Sequence, residues 1–298
     1  MAVQQKAKKR KLRPGRLAVL IIAVALIVFL GVAVGAAFAV LLNTSRWQAG
    51  GPVLDAATIV FDRYGKPADQ IHAGEYRLPV TFDQIPAHLK DAFLAVEDIR
   101  FYEHHGIDFR GIARALVANI KSGGIEQGGS TITQQLARNA FMENPRRTIF
   151  RKLQEAIIAI QLERIYDKNE IFEQYLNSIY FGEGAYGVQA ASQVYFGKDV
   201  SELSLSEAAL LAGLVKAPSR YSPFKNPEGA RTRRNVVLEN MARYDFISED
   251  EAERASQEPI KLSSKRSVVK YRYPYFTEYV AEEAEKLLQQ NGYQPGDL

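Results

Sequence analysis

Three stretches of this 298-residue chain hold residues whose types and spacing could do chemistry. The first is Glu97-Asp98-Ile99-Arg100-Phe101-Tyr102-Glu103-His104-His105-Gly106. It follows Leu89, Phe93 and Val96, apolar at i, i+4 and i+7, which predicts that Glu97 ends a helix. Free carbonyls at that end disfavour a carboxylate and raise its proton affinity toward what a general base needs. A solvated helix end accounts for the same spacing without chemistry. His104 and His105 could ligate a metal, but adjacent histidines lack the third ligand that such a site needs.

The second stretch is Gln127-Gly128-Gly129-Ser130-Thr131-Ile132-Thr133-Gln134-Gln135. Paired glycines followed by hydroxyls at a helix start resemble an anion-binding loop. A glycine turn with a Ser or Thr N-cap reads equally well from the same residues. No Gly-Lys-Ser/Thr follows, so it is not a nucleotide phosphate loop. The third stretch sets Arg138, Arg146, Arg147, Arg151 and Lys152 against Glu143 alone, a local +4 within 15 residues. Arg147, Arg151 and Glu155 share a face if the helix runs through Arg147. Guanidinium forks suit phosphate, whereas Arg151–Glu155 pairing on a solvated face is the plain alternative. Phe141-Met142 and Ile149-Phe150 flank these cations, so the segment could also enter a lipid headgroup layer.

The elements that must position these residues read as mainly α. Ala57–Phe61 followed by Asp62-Arg63-Tyr64-Gly65-Lys66-Pro67 predicts a short hairpin. Pro86 suits the first turn of the helix that Glu97 ends. Further helices are expected over about Phe109–Lys121, from near Thr131, and from about Thr148 to Tyr166, the last with Leu153, Ile157 and Ile160 on one side. Ser204 and Glu207 form a capping box before Ala208–Val215. Residues 232–243 and 276–290 complete the helical set.

Charge and cysteine content narrow the classes. Zero cysteines exclude a disulfide scaffold, a thiolate metal site and a cysteine nucleophile. The net charge of +4 hints at an anionic partner, but Lys6, Lys8, Lys9, Arg10, Lys11, Arg13 and Arg16 stand in the first sixteen residues with no acid among them. Without these seven the balance is 31 basic to 34 acidic residues. The next 26 residues, Leu17 to Leu42, carry no charge, more than the ~20 that span a bilayer. A cleaved signal peptide ending near Ala37-Phe38-Ala39 would have a shorter apolar core. The expectation is an uncleaved signal anchor with its N-terminus in the cytoplasm by the positive-inside rule, and no nucleic-acid partner. A carboxylate base, a hydroxyl-rich loop and an arginine cluster, tethered to a membrane, suit a transfer whose leaving group is a lipid-linked phosphate.

These residues resemble glycosyltransferase family 51, the peptidoglycan polymerase domain of class A penicillin-binding proteins and monofunctional transglycosylases. Glu97-Asp98-x-x-Phe101-x-x-His104-x-Gly106 fits the family's first motif and Gly128–Gln135 its second. Arg151-Lys152-x-x-Glu155 fits the third, Lys168-Asn169-Glu170-Ile171 through Tyr175-Leu176-Asn177 the fourth, and Arg233-Arg234-x-x-Val237-Leu238 the fifth. The resemblance implies a mainly α, lysozyme-like helical head with a small membrane-proximal jaw, preceded by one transmembrane helix. It implies polymerisation of lipid II by inverting transfer, with release of undecaprenyl pyrophosphate. By that analogy Glu97 is the general base and Glu155 the second acidic residue. Arg138, Arg147, Arg151 and Lys152 meet the pyrophosphate, Ser130, Thr131, Gln135 and Asn139 hold substrate, and Phe101 and His104 shape the cleft. The family usually carries lysine where Arg138 stands.

The resemblance implies no organic cofactor. A divalent cation, magnesium or manganese, would assist pyrophosphate departure, though no constellation dictates a site for it. Expected partners are lipid II, the lipid-linked growing glycan, the membrane and other cell-wall synthesis proteins. The expected division is a cytoplasmic tail (1–16), an anchor in the bacterial inner membrane (17–42), a juxtamembrane segment with short strands (43–80), a periplasmic or extracellular glycosyltransferase domain (81–250) and a helix with linker (251–298). That last segment is expected to lead into a transpeptidase domain. A lysozyme-like hydrolase and a catalytically silent cell-wall scaffold are the competing readings.

Overall fold

The structure is a computed structural model that describes Gly31, Gly35 and residues 58–65, 67–71, 76–122, 128–141, 149–263 and 274–292. Gly31 and Gly35 are helical, but the rest of the expected anchor 17–42 and all of the tail 1–16 lie outside the described residues. Among the described residues no helix is long and apolar enough to cross a membrane.

The hairpin expected from the turn residues is formed. Strand β1 (Thr58–Phe61) pairs antiparallel with β2 (Pro67–Ile71), Thr58 opposite Ile71. Strand β3 (Tyr76–Arg77) then joins a second small sheet, parallel to β5 (Ala185–Tyr186), which pairs antiparallel with β4 (Tyr180–Gly182). Everything else that positions the site is helical: α1 (Ala87–Glu97), α2 (Phe109–Ser122), α3 (Ile132–Phe141), α4 (Ile149–Ile165) and α5 (Lys168–Ser178). After the small sheet come α6 (Val188–Phe196), α7 (Leu205–Leu214), α8 (Pro218–Tyr221), α9 (Pro227–Arg243), α10 (Glu249–Gln257) and α11 (Pro274–Gln290).

Local chemistry sets the helix starts. Capping boxes Asp167/Glu170, Ser204/Glu207 and Ser248/Glu251 open α5, α7 and α10, while Asn226 and Pro227 open α9. Helix α7 is apolar on every side, as a central helix must be. Ser206 and Ala208 to Leu214 are all buried, with α1 and α9 packed against it. Packing continues past residue 250, because the fully buried Arg234 donates to the carbonyls of Ser256 (2.5 Å) and Glu258 (2.6 Å) at the end of α10.

The apolar side read from the sequence of α4 is not its buried side. Leu153, Ile157 and Ile160 do not form the inner side of α4; Ile160 is 36% exposed, and the buried residues are Glu155, Ile158, Ala159 and Leu162. Ile157 to Ile160 are apolar all round that turn, so periodicity alone could not choose. The face that wins is the one that brings Glu155 inward.

The first motif's glycine is dictated by this packing. Gly106 has φ +85°, and an added Cβ would lie 3.0 Å from the backbone C and O of Ala159 on α4. Backbone cannot yield as a side-chain tip can. Gly106→Ala should therefore cost roughly 2–3 kcal/mol from the positive φ and the contact together. Chemical denaturation of the purified protein measures it, and a loss below about 0.5 kcal/mol would contradict the close approach.

Candidate active site

Glu97 is the last residue of α1, where the sequence puts it; the residue is half-buried and protein encloses its carboxyl. That enclosure pushes its proton affinity up, against the donation from Gln135 and the positive charges of Arg233 and Arg138, while the Asp98 charge adds to the rise. Gln135, on α3, donates from Nε2 to Glu97 Oε2 at 2.8 Å. Its other end, Oε1, accepts from the buried Tyr175 hydroxyl of α5 at 3.4 Å. Arg233 reaches this side from α9 and donates from Nε to Gly213 O at 3.4 Å.

Asp98 joins the first motif to the second. Its Oδ2 accepts from the backbone N–H of Ile132 (3.0 Å), the first residue of α3, and lies 2.8 Å from His104 Nε2. Both side chains are buried. Thr131 caps α3 in a box with Gln134: Gln134 N donates to Thr131 Oγ1 (3.1 Å) and Thr131 N to Gln134 Oε1 (3.2 Å). The Thr131 hydroxyl donates in turn to Gly106 O at 2.7 Å. Of the two readings of this loop, the N-cap is the one formed, since Asp98 and Thr131 take up the N–H groups of Ile132 and Gln134. Gly129 lets the loop run close to α2; an added Cβ would sit 3.2 Å from Ile112 Cα.

The cations gather on α4. Lys152 Nζ donates to Ser130 Oγ at 2.7 Å and to Gln134 Oε1 at 3.4 Å, and pairs with Glu155 Oε2 at 2.9 Å. Arg151 Nε stands 3.3 Å from Glu155 Oε1. Glu155 is 1% exposed, so it acts as the shared counter-ion that fixes two cations. Arg138, half-buried at the end of α3, donates to Asn139 Oδ1 at 3.3 Å. Arg147 lies outside the described residues.

Of the residues expected to meet substrate, Gln135, Arg138, Arg151 and Lys152 act directly on Glu97 or Glu155, Ser130 meets Lys152 and Asn139 meets Arg138. Phe101, His104 and Thr131 are buried and spend their contacts inside the wall. Phe101 packs tilted against Phe172 at 5.4 Å, and Lys168 lies over its ring at 4.4 Å. Lys168 and Thr133 both donate to Glu163 Oε1, which ties the fourth motif to the second. Gln134, Tyr175 and Arg233 went unmarked as site residues by sequence reasoning. The Thr131–Gln134 capping box was readable from its spacing, but nothing local links Tyr175 or Arg233 to Glu97.

The acids here do not form a metal cage. Among the described residues no three His, Asp or Glu side chains stand together as ligands. Asp98 serves His104 and Ile132, and Glu155 serves two cations.

The raised proton affinity of Glu97 has a stability consequence of definite sign. An acid whose folded-state pKa lies above its unfolded one stabilises the fold when protonated and loses that contribution as pH rises through the folded value. At pH 7 the charged, desolvated carboxylate is a net cost. Glu97→Gln should therefore melt above wild type at pH 7 to 8, with the gap closing as pH falls. Melting curves across that range test it, and a variant that melts lower at every pH would contradict it.

A family model described as Transglycosylase matches residues 64–242. Penicillin-binding protein 1A of Aquifex aeolicus (strain VF5) is 48% identical over 225 residues, which are 75% of this chain and 30% of that protein. Penicillin-binding protein 1A of Escherichia coli (strain K12) is 46% identical over 220 residues, 74% of this chain and 26% of the relative. Penicillin-binding protein 1A/1B of Bacillus subtilis (strain 168) is 40% identical over 297 residues, 95% of this chain and 32% of the relative. The chain thus spans about a third or less of the length of these relatives. The crystal structure of Penicillin-Binding Protein 1A from Haemophilus influenzae superposes with a TM-score of 0.43 at 29% identity, over 80% of this chain and 25% of that one.

Proposed function

The chain belongs to the transglycosylase family, glycosyltransferase family 51 of class A penicillin-binding proteins, and on that premise we propose that it polymerises lipid II into peptidoglycan glycan strands. The observation that carries the reading is a pair of neighbours on α3. Gln135 holds the carboxylate Glu97 and Gln134 reaches the cation Lys152, so one helical turn presents a base and an anion site side by side.

In this reading Glu97 takes the proton from the acceptor sugar's 4-hydroxyl as its oxygen attacks C1 of the donor. The configuration at C1 inverts and the C1–O bond to undecaprenyl pyrophosphate breaks. Lys152 and Arg151, fixed by Glu155, lie where the departing diphosphate gains charge, and preorganised cations at such a place lower the barrier. Arg138 adds charge from the other end of α3. A hydrolase of finished glycan needs the base but has no anion for these cations to receive. A divalent cation, magnesium or manganese, would enter only with the diphosphate as its counter-ion, because the acids of the site are already engaged.

Helix α2 supports placing this site at a membrane. Phe109, Leu116, Val117 and Ile120 are more than half exposed, while Arg110, Arg114 and Lys121 are its only charged residues, a basic amphipathic surface suited to anionic headgroups. It would form the jaw of a lysozyme-like head, facing the outer surface of the inner membrane that residues 17–42 anchor. Lipid-linked glycan and cell-wall synthesis proteins would then be its partners.

Purified full-length protein given lipid-linked disaccharide should yield glycan polymer. Glu97→Gln should lower the rate about a hundredfold or more, and Arg138→Lys should stay within about tenfold of wild type. Soluble muropeptides from finished peptidoglycan, with no polymer from the lipid-linked substrate, would overturn the reading.

A further inference from the structure

The amide of Gln135 can face Glu97 with either end, since oxygen and NH2 are nearly the same size and differ only in what they offer. Turned one way it donates to Glu97; turned the other it presents an oxygen that only a protonated Glu97 could use. The described contacts fix the first arrangement. Gln135 Oε1 accepts from Tyr175 Oη at 3.4 Å and Nε2 donates to Glu97 Oε2 at 2.8 Å. Tyr175 is fully buried, edge-on to Phe93 at 6.0 Å and tilted against Phe172 at 6.3 Å. Its hydroxyl therefore has a defined direction, and the ring has no room to search for another partner.

We propose that Tyr175 is a positioning residue for the base: by donating to Gln135 Oε1 it turns the amide so that Nε2 meets Glu97, and so keeps Glu97 ready to accept a proton. The inference rests on the reading of Glu97 as the base of the transfer. No atom of Tyr175 touches the reacting groups in this scheme.

Burial, and after it the charge of Glu97, hold the phenol well above its ordinary range, so it keeps its proton and remains a donor wherever the enzyme works. The other charged groups around Glu97 do not depend on Tyr175. Asp98 follows it in the chain, Arg138 comes from α3 and Arg233 from α9. Glu207, the charged residue of α7, is paired with Lys198 at the start of that helix. Removing the phenol oxygen leaves this charge set in place and frees the amide alone. A freed amide can turn its oxygen to Glu97 when Glu97 takes up a proton, which favours the protonated form. The acid limb of activity must then move to higher pH.

The test uses Tyr175→Phe, which keeps the packed ring. Infrared difference spectra of full-length protein against Glu97→Gln follow protonation of the Glu97 carboxyl directly, without substrate. The midpoint should lie at higher pH in Tyr175→Phe than in wild type. It should not move further when Tyr175→Phe is added to Gln135→Met. On lipid-linked disaccharide, kcat/KM of Tyr175→Phe should fall roughly three- to tenfold at pH 6 and recover to within about twofold of wild type at pH 8. If Tyr175→Phe fails to fold, 3-fluorotyrosine at position 175, a stronger donor, should move the midpoint the opposite way. An unmoved midpoint, or an equal loss of activity at every pH, overturns the proposal. A shifted midpoint in a protein that makes no polymer leaves Tyr175 its positioning role and sinks the glycosyltransferase reading instead.

Discussion

The site hangs on a carboxylate that joins two helices. Asp98 caps the C-terminal end of α1 and, through one oxygen, receives the first N–H of α3 and faces His104. A helix end rich in free carbonyls and a helix start rich in free N–H groups are thereby brought together, each partly satisfying what the other leaves open. The position of Glu97 follows from the α1 side of this joint and the positions of Gln134 and Gln135 from the α3 side. Hydrogen bonds to a charged acceptor are the stronger kind. Both partners here are buried, where such a bond is hard to replace with water.

Around that joint the protein balances two opposed demands on Glu97. Enclosure makes the carboxyl hold its proton more tightly, while Gln135, Arg233 and Arg138 favour its charged form. A general base must be charged to act and basic enough to be useful, and in the role proposed for Glu97 these opposed influences would serve both needs. Glu155 solves the reverse problem by pairing with Arg151 and Lys152, so the same fold keeps one carboxylate available and another committed.

Much of this was legible in the sequence, for identifiable reasons. Leu89, Phe93 and Val96 fixed the length of α1 and therefore the place of Glu97, because a terminal helix residue is a local property. Ser204/Glu207 marked the start of α7 in the same way. The inward face of α4 was not legible, since Ile157 to Ile160 offer no polar side to turn outward and the choice depends on where Glu155 finds its cations. Phe101, His104 and Thr131 prove to be buried; a motif shows that a residue matters without showing how deep it lies. Tyr175 and Arg233 lie some 80 and 140 positions from Glu97 in the chain, and only the packing of α5 and α9 brings them to it.

The adjacency of Gln134 and Gln135 limits how this site can vary. Successive residues of a helix point about 100° apart, and here that angle separates the partner of Glu97 from the partner of Lys152. Gaining or losing a single residue between Thr131 and Gln135 would rotate one glutamine into the other's place and carry the second away from both. The capping box would be lost with it, since it counts the same three steps. From Thr131 onward the reading frame of the helix is itself part of the site.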